Sequence, residues 1–146
     1  MKTRIAINGF GRIGRNLFRL LLNHPTIEIV AINDIADNKT MAHLVKYDSI
    51  HGVLNQKVTF SEDSINIDDK SYLFFHEKEI KNIDWKSVHV DIVIESTGKF
   101  KTFEEINQHI LSGSKKVILS APAEVEEIKT VVLGVNEHIL NGSETI

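Results

Sequence analysis

Residues 4–16, RIAINGFGRIGRN, decide the fold of this chain of 146 residues. The stretch opens with a short run rich in isoleucine, residues 4–8, which predicts a buried strand. Gly9, Gly11 and Gly14 follow in the pattern G-x-G-x-x-G. In this pattern the first glycine permits a tight turn out of the strand, the second lets a phosphate approach the backbone, and the third lets a helix pack closely on the strand. A strand, these glycines and then a helix therefore predict a dinucleotide site.

The rest of the chain continues the same alternation of strands and helices. Apolar residues at helical spacing predict a helix over 12–23, which the proline at position 25 ends. A second strand over 27–32 completes a βαβ unit. Further helices are predicted over 39–47 and 102–111, and further strands over 58–60, 64–67, 72–75, 91–95, 117–119 and 131–135. This order predicts one α/β domain over residues 1–146, a doubly wound and mostly parallel sheet of the Rossmann type with a small antiparallel insert.

The glycine loop and the second strand indicate which dinucleotide binds. The backbone N–H groups of Arg12 and Ile13, at the start of the first helix, are the predicted donors to the pyrophosphate. Asp34 ends the second strand 20 residues after Gly14, the spacing of the acid that binds the adenosine ribose. Its charge repels the 2′-phosphate of NADP, and neither Arg nor Lys stands between positions 34 and 39, so NAD is the predicted cofactor. The alternative interpretations are a glycine-rich turn without ligand and Asp34 as a helix cap.

Two later strand ends carry small hydroxyl residues. Ser96, Thr97 and Gly98 follow the strand over 91–95, and Ser120 follows the strand over 117–119. Ligands bind at the carboxyl ends of strands in open α/β sheets, so these residues are candidates for cofactor contacts. By position alone, ordinary strand-to-helix turns are an equally good interpretation.

Composition excludes several other classes of protein. The chain is 42% hydrophobic and 25% charged, which argues against disorder, and its formal net charge of −3 without a basic block argues against nucleic-acid binding. It contains no cysteine, so it has no thiolate metal site and no cysteine nucleophile. The seven histidines lack metal-ligand spacing and are expected in surface or loop positions. No metal site, targeting segment or membrane span is predicted, and the expected location is the cytoplasm.

Six blocks of sequence together resemble the glyceraldehyde-3-phosphate dehydrogenase family. They are INGFGRIGRN (7–16), AINDI (31–35), KYDSIHG (46–52), ESTGKF (95–100), ILSAPA (118–123) and GVN (134–136). The resemblance implies the N-terminal NAD-binding domain of this family. It also implies cofactor contacts from Arg12, Ile13, Asp34 and Ser120, with Thr97 and Gly98 beside the cofactor. Lys78 matches a position near the adenine where the family commonly has arginine.

The resemblance also implies a reaction for the full-length protein. The family oxidises and phosphorylates glyceraldehyde 3-phosphate in glycolysis, with hydride transfer to NAD and phosphate as the second substrate, and the full-length protein is expected to be a cytoplasmic homotetramer. The family's nucleophilic cysteine lies in a block expected just beyond Ile146, so the chain is expected to be a truncated domain with no catalytic residue and no activity of its own. The related erythrose-4-phosphate dehydrogenase, a stand-alone NAD-binding or sensing module and a non-dehydrogenase on the same fold remain the alternatives.

Overall fold

The computed structural model describes residues 2–146 and contains three α-helices and nine strands within that range. The strands are β1 (Thr3–Asn8), β2 (Ile27–Asn33), β3 (Tyr47–Asp48), β4 (Gly52–Val53), β5 (Val58–Phe60), β6 (Ser64–Ile67), β7 (Lys70–Phe75), β8 (Ile92–Glu95) and β9 (Lys116–Leu119). The helices are α1 (Arg12–Leu21), α2 (Asn38–Lys46) and α3 (Phe103–Leu111), with two 3₁₀ turns at Ile80–Asn82 and Glu137–Ile139.

Seven of the strands form one sheet in the order β5-β6-β7-β2-β1-β8-β9. The five strands from β7 to β9 in this order run parallel to their neighbours, whereas β5, β6 and β7 pair antiparallel. The antiparallel insert therefore extends the main sheet through β7, and β3 and β4 form a separate small hairpin. This arrangement confirms the predicted doubly wound α/β fold.

The central strand β1 is buried on both faces of the sheet. Ile5 and Ile7 pack into one cluster with Phe18 of α1, while Ala6 between them packs into the cluster on the opposite face with Trp85. Because successive side chains of a strand point to opposite faces, a parallel strand covered on both sides reads as a continuous apolar run. The IAI run of β1 is the local cause of this two-sided packing.

Helix starts are specified by local side chains. Thr102 accepts a hydrogen bond from the backbone of Glu105, and the Glu105 carboxylate accepts one from the backbone of Thr102, which completes a capping box at the start of α3. Asp37 caps α2 by accepting from Thr40 N at 2.8 Å. These caps place the first residues of α2 and α3 within one position of the predicted starts.

Besides β7, which begins at Lys70 instead of at residue 72, one predicted helix end and one predicted strand are wrong. The first helix ends at Leu21, two residues earlier than predicted. The strand predicted over 131–135 is a pair of turns instead: the Asn136 side chain accepts from Val132 N at 2.6 Å and donates to Thr130 O at 2.9 Å. The run is apolar and β-branched, but no neighbouring strand pairs with it among the described residues, and Leu133 is 89% exposed. Without a ladder partner, strand propensity is not sufficient.

Candidate functional site

The carboxyl ends of the parallel strands frame an open cavity at one edge of the sheet. Of the predicted site residues, Gly9, Gly11, Asp34, Lys78 and Thr97 line it together. Ser96, a candidate by its place after the strand, lines it as well. Residues that sequence reasoning missed also line it; they are Asn8, Asn33, Ile35, Glu77, Ile80, Lys99 and Phe100. The available signal for the two asparagines was their place directly after the apolar runs over 5–7 and 29–32 at the ends of their strands.

The three glycines of the loop have different surroundings. Gly9 has φ 92°, and a Cβ there would lie 2.6 Å from the backbone N of Thr97, so only glycine fits. A Cβ on Gly14 would lie 2.2 Å from the carbonyl oxygen of Gly9, because α1 packs directly on the turn. At Gly11 a Cβ would meet nothing within 4 Å. The backbone at Gly11 is therefore open towards the cavity, with room for a ligand to approach.

Helix α1 begins at this open position. Gly11 is its N-cap and supplies no side-chain cap, and no acidic residue stands in the first turn. The first backbone bond of the helix runs from Arg15 N to Gly11 O at 3.0 Å, so the N–H groups of Arg12, Ile13 and Gly14 have no partner within the helix. Free N–H groups and the positive end of the helix dipole make this turn suited to an anion.

The carboxylate of Asp34 links the second strand to the glycine loop. Its Oδ2 accepts from the backbone N of Phe10 at 2.7 Å and its Oδ1 accepts from the backbone N of Ala36 at 3.0 Å. A carboxylate has about four acceptor positions, so two remain for a ligand. Asp34 is partly exposed on the cavity, where hydroxyl groups of a ribose are suitable donors.

The Arg15 side chain stabilises the glycine loop by a hydrogen bond to its backbone. Its Nη1 donates to the carbonyl oxygen of Phe10 at 2.8 Å, on the same residue whose N–H binds Asp34. Burial lowers the pKa of Arg15 from its ordinary value, partly offset by the charges of Asp48 and Asp34. The loop is thus held at both the N–H and the C=O of one residue.

A continuous row of polar side chains crosses the sheet beneath the cavity. The Asn33 amide donates to Asn8 Oδ1 at 2.7 Å, and the Asn8 amide donates to Glu95 Oε2 at 2.5 Å. Beyond Asn33, the row reaches the backbone of Glu77, whose N–H donates to Asn33 Oδ1 at 2.9 Å. Glu95 Oε1 accepts from both the backbone N and the hydroxyl of Thr97. The row therefore connects the β7, β2, β1 and β8 ends that frame the cavity.

The expectation of a surface or loop position is wrong for His109. This residue of α3 is fully buried, and it lies between Glu95 and the indole of Trp85 at the far end of the polar row. Helix α3 is amphipathic, and at this position the side chain facing the sheet is a histidine whose two ring nitrogens both have partners. A buried polar group is tolerated when its hydrogen bonds are made.

The remaining predicted residues lie around the cavity rather than in its lining. Arg12, Ile13 and Gly98 are exposed, and Gly14 is buried under the loop. Ser120 is exposed; its backbone N donates to Glu95 O at 2.9 Å, and the residue lines a separate apolar groove beside β9. The structure thus brings half of the predicted set into one lining and distributes the rest along the same edge of the sheet.

Comparison with known proteins gives the family. Residues 3–103 match the family model described as glyceraldehyde 3-phosphate dehydrogenase, NAD binding domain. The chain belongs to the glyceraldehyde-3-phosphate dehydrogenase family. It is 50% identical to the glyceraldehyde-3-phosphate dehydrogenase of Mycoplasma pneumoniae over 98% of this chain and 42% of that protein. The corresponding values are 49%, 98% and 43% for the protein of Thermotoga maritima, and 47%, 94% and 41% for that of Geobacillus stearothermophilus.

Membership of the glyceraldehyde-3-phosphate dehydrogenase family confirms the resemblance found in the sequence and NAD as the cofactor of this domain. The chain spans about two-fifths of the length of the curated relatives it matches. Within residues 2–146, no helix is long and apolar enough to cross a membrane. Over the same residues, no three His, Asp or Glu side chains come together as a metal site.

Proposed function

We propose that residues 1–146 form one domain that binds NAD across the carboxyl edge of the sheet. The observation that carries this proposal is the placement of the uncapped start of α1, the open backbone of Gly11 and the Asp34 carboxylate around one cavity. An anion-binding helix end beside an acid with free acceptor positions matches the pyrophosphate and ribose of a dinucleotide. The residues present therefore fit the cofactor of the family.

Each predicted residue has a role in this proposal. Gly9 and Gly14 shape the turn, Gly11 leaves room for the pyrophosphate, and the N–H groups of Arg12 and Ile13 donate to it. Asp34 accepts from the adenosine ribose, and Lys78 lies on the adenine side of the cavity. The other half of the dinucleotide then extends towards the β8 and β9 ends, where the contacts are assigned to Thr97, Gly98 and Ser120.

The whole protein is proposed to be a phosphorylating glyceraldehyde-3-phosphate dehydrogenase of glycolysis. Its proposed substrates are glyceraldehyde 3-phosphate and phosphate, its proposed assembly is a homotetramer, and its proposed location is the cytoplasm. When bound, NAD would accept the hydride that the aldehyde loses on oxidation. This reaction requires a nucleophilic thiolate, and the 146 residues contain no cysteine, so this polypeptide by itself is expected to be inactive.

Isothermal titration calorimetry with NAD and then NADP tests the cofactor proposal. Saturable binding of NAD with much weaker binding of NADP is expected, because the Asp34 carboxylate repels a 2′-phosphate. Asp34→Ala is expected to weaken the binding of NAD and to narrow the difference between the affinities for NAD and NADP. Asp69→Ala, which removes an exposed carboxylate in the turn between β6 and β7, is the matched control and is expected to change neither. Equal affinity of the unaltered chain for NAD and NADP would contradict the role of Asp34.

A further inference from the structure

The chain contains two Asn-Gly pairs, Asn8-Gly9 and Asn141-Gly142, and the fold places them in opposite surroundings. In such a pair the backbone nitrogen of the glycine can attack the side-chain amide of the asparagine, because glycine has no Cβ to obstruct the approach and its backbone turns freely. Asn8 is only 1% exposed, whereas Asn141 and Gly142 both lie on the surface.

The side-chain carbonyl of Asn141 is folded over the peptide that follows it. Its Oδ1 accepts from the backbone N of Ser143 at 3.0 Å and from the Ser143 hydroxyl at 2.6 Å. Two donors on one carbonyl oxygen polarise the carbon and stabilise the negative charge that forms on the oxygen during nucleophilic attack. Gly142 has φ 88°, and a Cβ there would meet nothing within 4 Å, so the turn has room to react.

The carboxylate of Glu144 binds the backbone nitrogen of Gly142. Its Oε2 accepts from Gly142 N at 2.9 Å, while its Oε1 accepts from Lys129 Nζ at 2.5 Å and from Asn141 N at 3.1 Å. The bond with Lys129, followed by bonds with backbone N–H groups, lowers the pKa of Glu144 to about 2, so this carboxylate is ionised at neutral pH. It is therefore an acceptor in place for the proton of Gly142 N.

We propose that Asn141 is a self-modification site, at which the backbone nitrogen of Gly142 displaces the side-chain amide of Asn141 as ammonia. A peptide nitrogen is a weak nucleophile because its lone pair is delocalised into the carbonyl, so the proton must leave as the new bond forms. Glu144 takes this proton, and the electron pair of the C=O bond moves to Oδ1, where the two donors of Ser143 stabilise it.

The oxyanion then collapses, the bond from Cγ to Nδ2 breaks, and the proton held by Glu144 goes to the departing nitrogen. The product is a succinimide ring, which water opens at one of its two carbonyls to aspartate or isoaspartate. One water is consumed and one ammonia is released, with no change of oxidation state. Neither the dinucleotide cavity nor NAD takes part in this reaction.

The same dipeptide at Asn8 is held in an unreactive arrangement. The Asn8 amide donates to Glu95 and its Oδ1 accepts from the Asn33 amide, so the side chain is fixed within the polar row. The nitrogen of Gly9 donates to the backbone oxygen of Asn33 at 2.8 Å, and a neutral carbonyl is a far weaker base than a carboxylate. Attack at Asn8 would break all three bonds in a buried site, so the fold protects it.

Mass spectrometry of the unaltered chain, incubated folded at neutral pH and sampled over time, tests the proposal. Trypsin releases Asn8 in peptide 5–12 and Asn141 in peptide 130–146. We expect peptide 130–146 to gain the mass difference between an amide NH₂ and a hydroxyl group, with fragment spectra placing the change at Asn141. Peptide 5–12 is expected to stay constant, and it also reports reaction during digestion, because both pairs are unfolded there. No conversion at Asn141, or equal conversion at both sites, overturns the proposal.

Two variants test the chemistry of the turn. Ser143→Ala removes the hydroxyl donor and keeps the backbone donor, and Glu144→Gln removes the proton acceptor. Each is expected to slow the conversion at least about threefold, on the scale of one hydrogen bond. Thr145→Ala removes the neighbouring exposed hydroxyl and is the matched control, expected to leave the rate unchanged. An unchanged or higher rate in Ser143→Ala or Glu144→Gln contradicts the proposed chemistry, since the contacts would then only restrain the side chain.

Unfolding in urea separates the effect of the structure from that of the dipeptide. In the unfolded chain we expect Asn8 to begin to react and Asn141 to react more slowly than in the folded chain, because the contacts from Ser143 and Glu144 are lost. Ser143→Ala and the unaltered chain are expected to react equally there. A rate at Asn141 that is the same or higher in urea overturns the role of the folded turn.

Discussion

Asn8 and Asn33 are the last residues of two adjacent parallel strands, and the amide of Asn33 donates to Oδ1 of Asn8 at 2.7 Å. They are partners in the register of β1 and β2, and Asn8 is also the register partner of Glu95 on β8. Three strand ends are therefore joined by side chains as well as by the backbone ladder. In this row Asn33 donates to Asn8 and Asn8 donates to Glu95, so the buried carboxylate sets the orientation of both amides.

Asn8→Ala tests how much this row stabilises the fold. The change removes one of the two acceptors of the Asn33 amide, which keeps Glu77 O, and one of the two partners of Glu95 Oε2, which keeps His109. Because both hydrogen bonds are lost in a buried site, we expect the free energy of unfolding to fall by about 1–3 kcal/mol. Urea denaturation followed by circular dichroism measures it. Asn55→Ala, in an exposed turn, is the control and should cost less than about 0.5 kcal/mol. A loss at Asn8 no larger than at Asn55 would show that water replaces the bonds.

Two glycine substitutions separate folding from cofactor binding. Gly14→Ala places a Cβ 2.2 Å from the carbonyl oxygen of Gly9, and we expect it to lower the free energy of unfolding by about 3 kcal/mol. Gly11→Ala points a methyl group into open space, and we expect it to lower stability by less than about 1 kcal/mol. The same methyl group occupies the proposed pyrophosphate site. Because forcing an extra methyl group into a packed contact typically costs about 1–3 kcal/mol, the affinity for NAD should fall at least about tenfold.

Thermal unfolding measures the stability of both glycine variants, and titration with NAD measures their affinity for the cofactor. A Gly11→Ala chain that is stable and binds NAD normally would place the pyrophosphate elsewhere. A Gly14→Ala chain of unaltered stability would mean that α1 shifts on β1 without cost.

The tautomer of His109 is directly observable. We expect nitrogen NMR of histidine-labelled chain at pH 7.5 to show an unprotonated Nδ1 and a protonated Nε2 for this residue, because Trp85 donates to Nδ1. His109→Gln identifies the signal. A protonated Nδ1 would mean that the Trp85 indole does not donate to this ring.

The capping box of α3 predicts a dependence of stability on pH. Hydrogen bonds from the backbones of Lys101 and Thr102, and then from the Thr102 hydroxyl, lower the pKa of Glu105 from its ordinary value of 4.5. A carboxyl whose pKa is lower in the folded state stabilises the fold above its unfolded pKa, and this contribution is lost as the pH falls through the folded pKa. The relevant window therefore lies below about pH 4.5.

Glu105→Gln is expected to destabilise the chain more at pH 6 than at pH 3. At pH 6 the substitution removes the ionised carboxylate that accepts the capping hydrogen bonds, whereas at pH 3 part of this contribution is already lost in the unaltered chain. Denaturant unfolding at the two pH values measures the difference. Glu126→Gln removes an exposed carboxylate outside any helix and should show the same stability change at both. An equal effect of Glu105→Gln at pH 6 and pH 3 would contradict the role of its charge.

Local sequence patterns were sufficient to predict much of the fold. The run over 4–8 and the glycines at 9, 11 and 14 predict the first strand, turn and helix because each signal acts within a few residues. The Thr102 and Glu105 spacing predicts the start of α3 for the same reason. The run over 131–135 was mispredicted because a strand needs a paired neighbour, and its apolar residues carry no information about where that neighbour lies.

The doubly wound fold, the glycine loop and the acid at position 34 could be predicted from the sequence, since these depend on spacing along the chain. The tertiary fold is what brings five distant residues together; they are Asn8, Asn33, Trp85, Glu95 and His109. These residues are up to 101 positions apart, as in the contact between Asn8 and His109, and no local pattern links them. Parallel pairing places the ends of β2, β1 and β8 side by side, and α3 then brings His109 against Glu95. The buried polar row beneath the cavity is a product of that register.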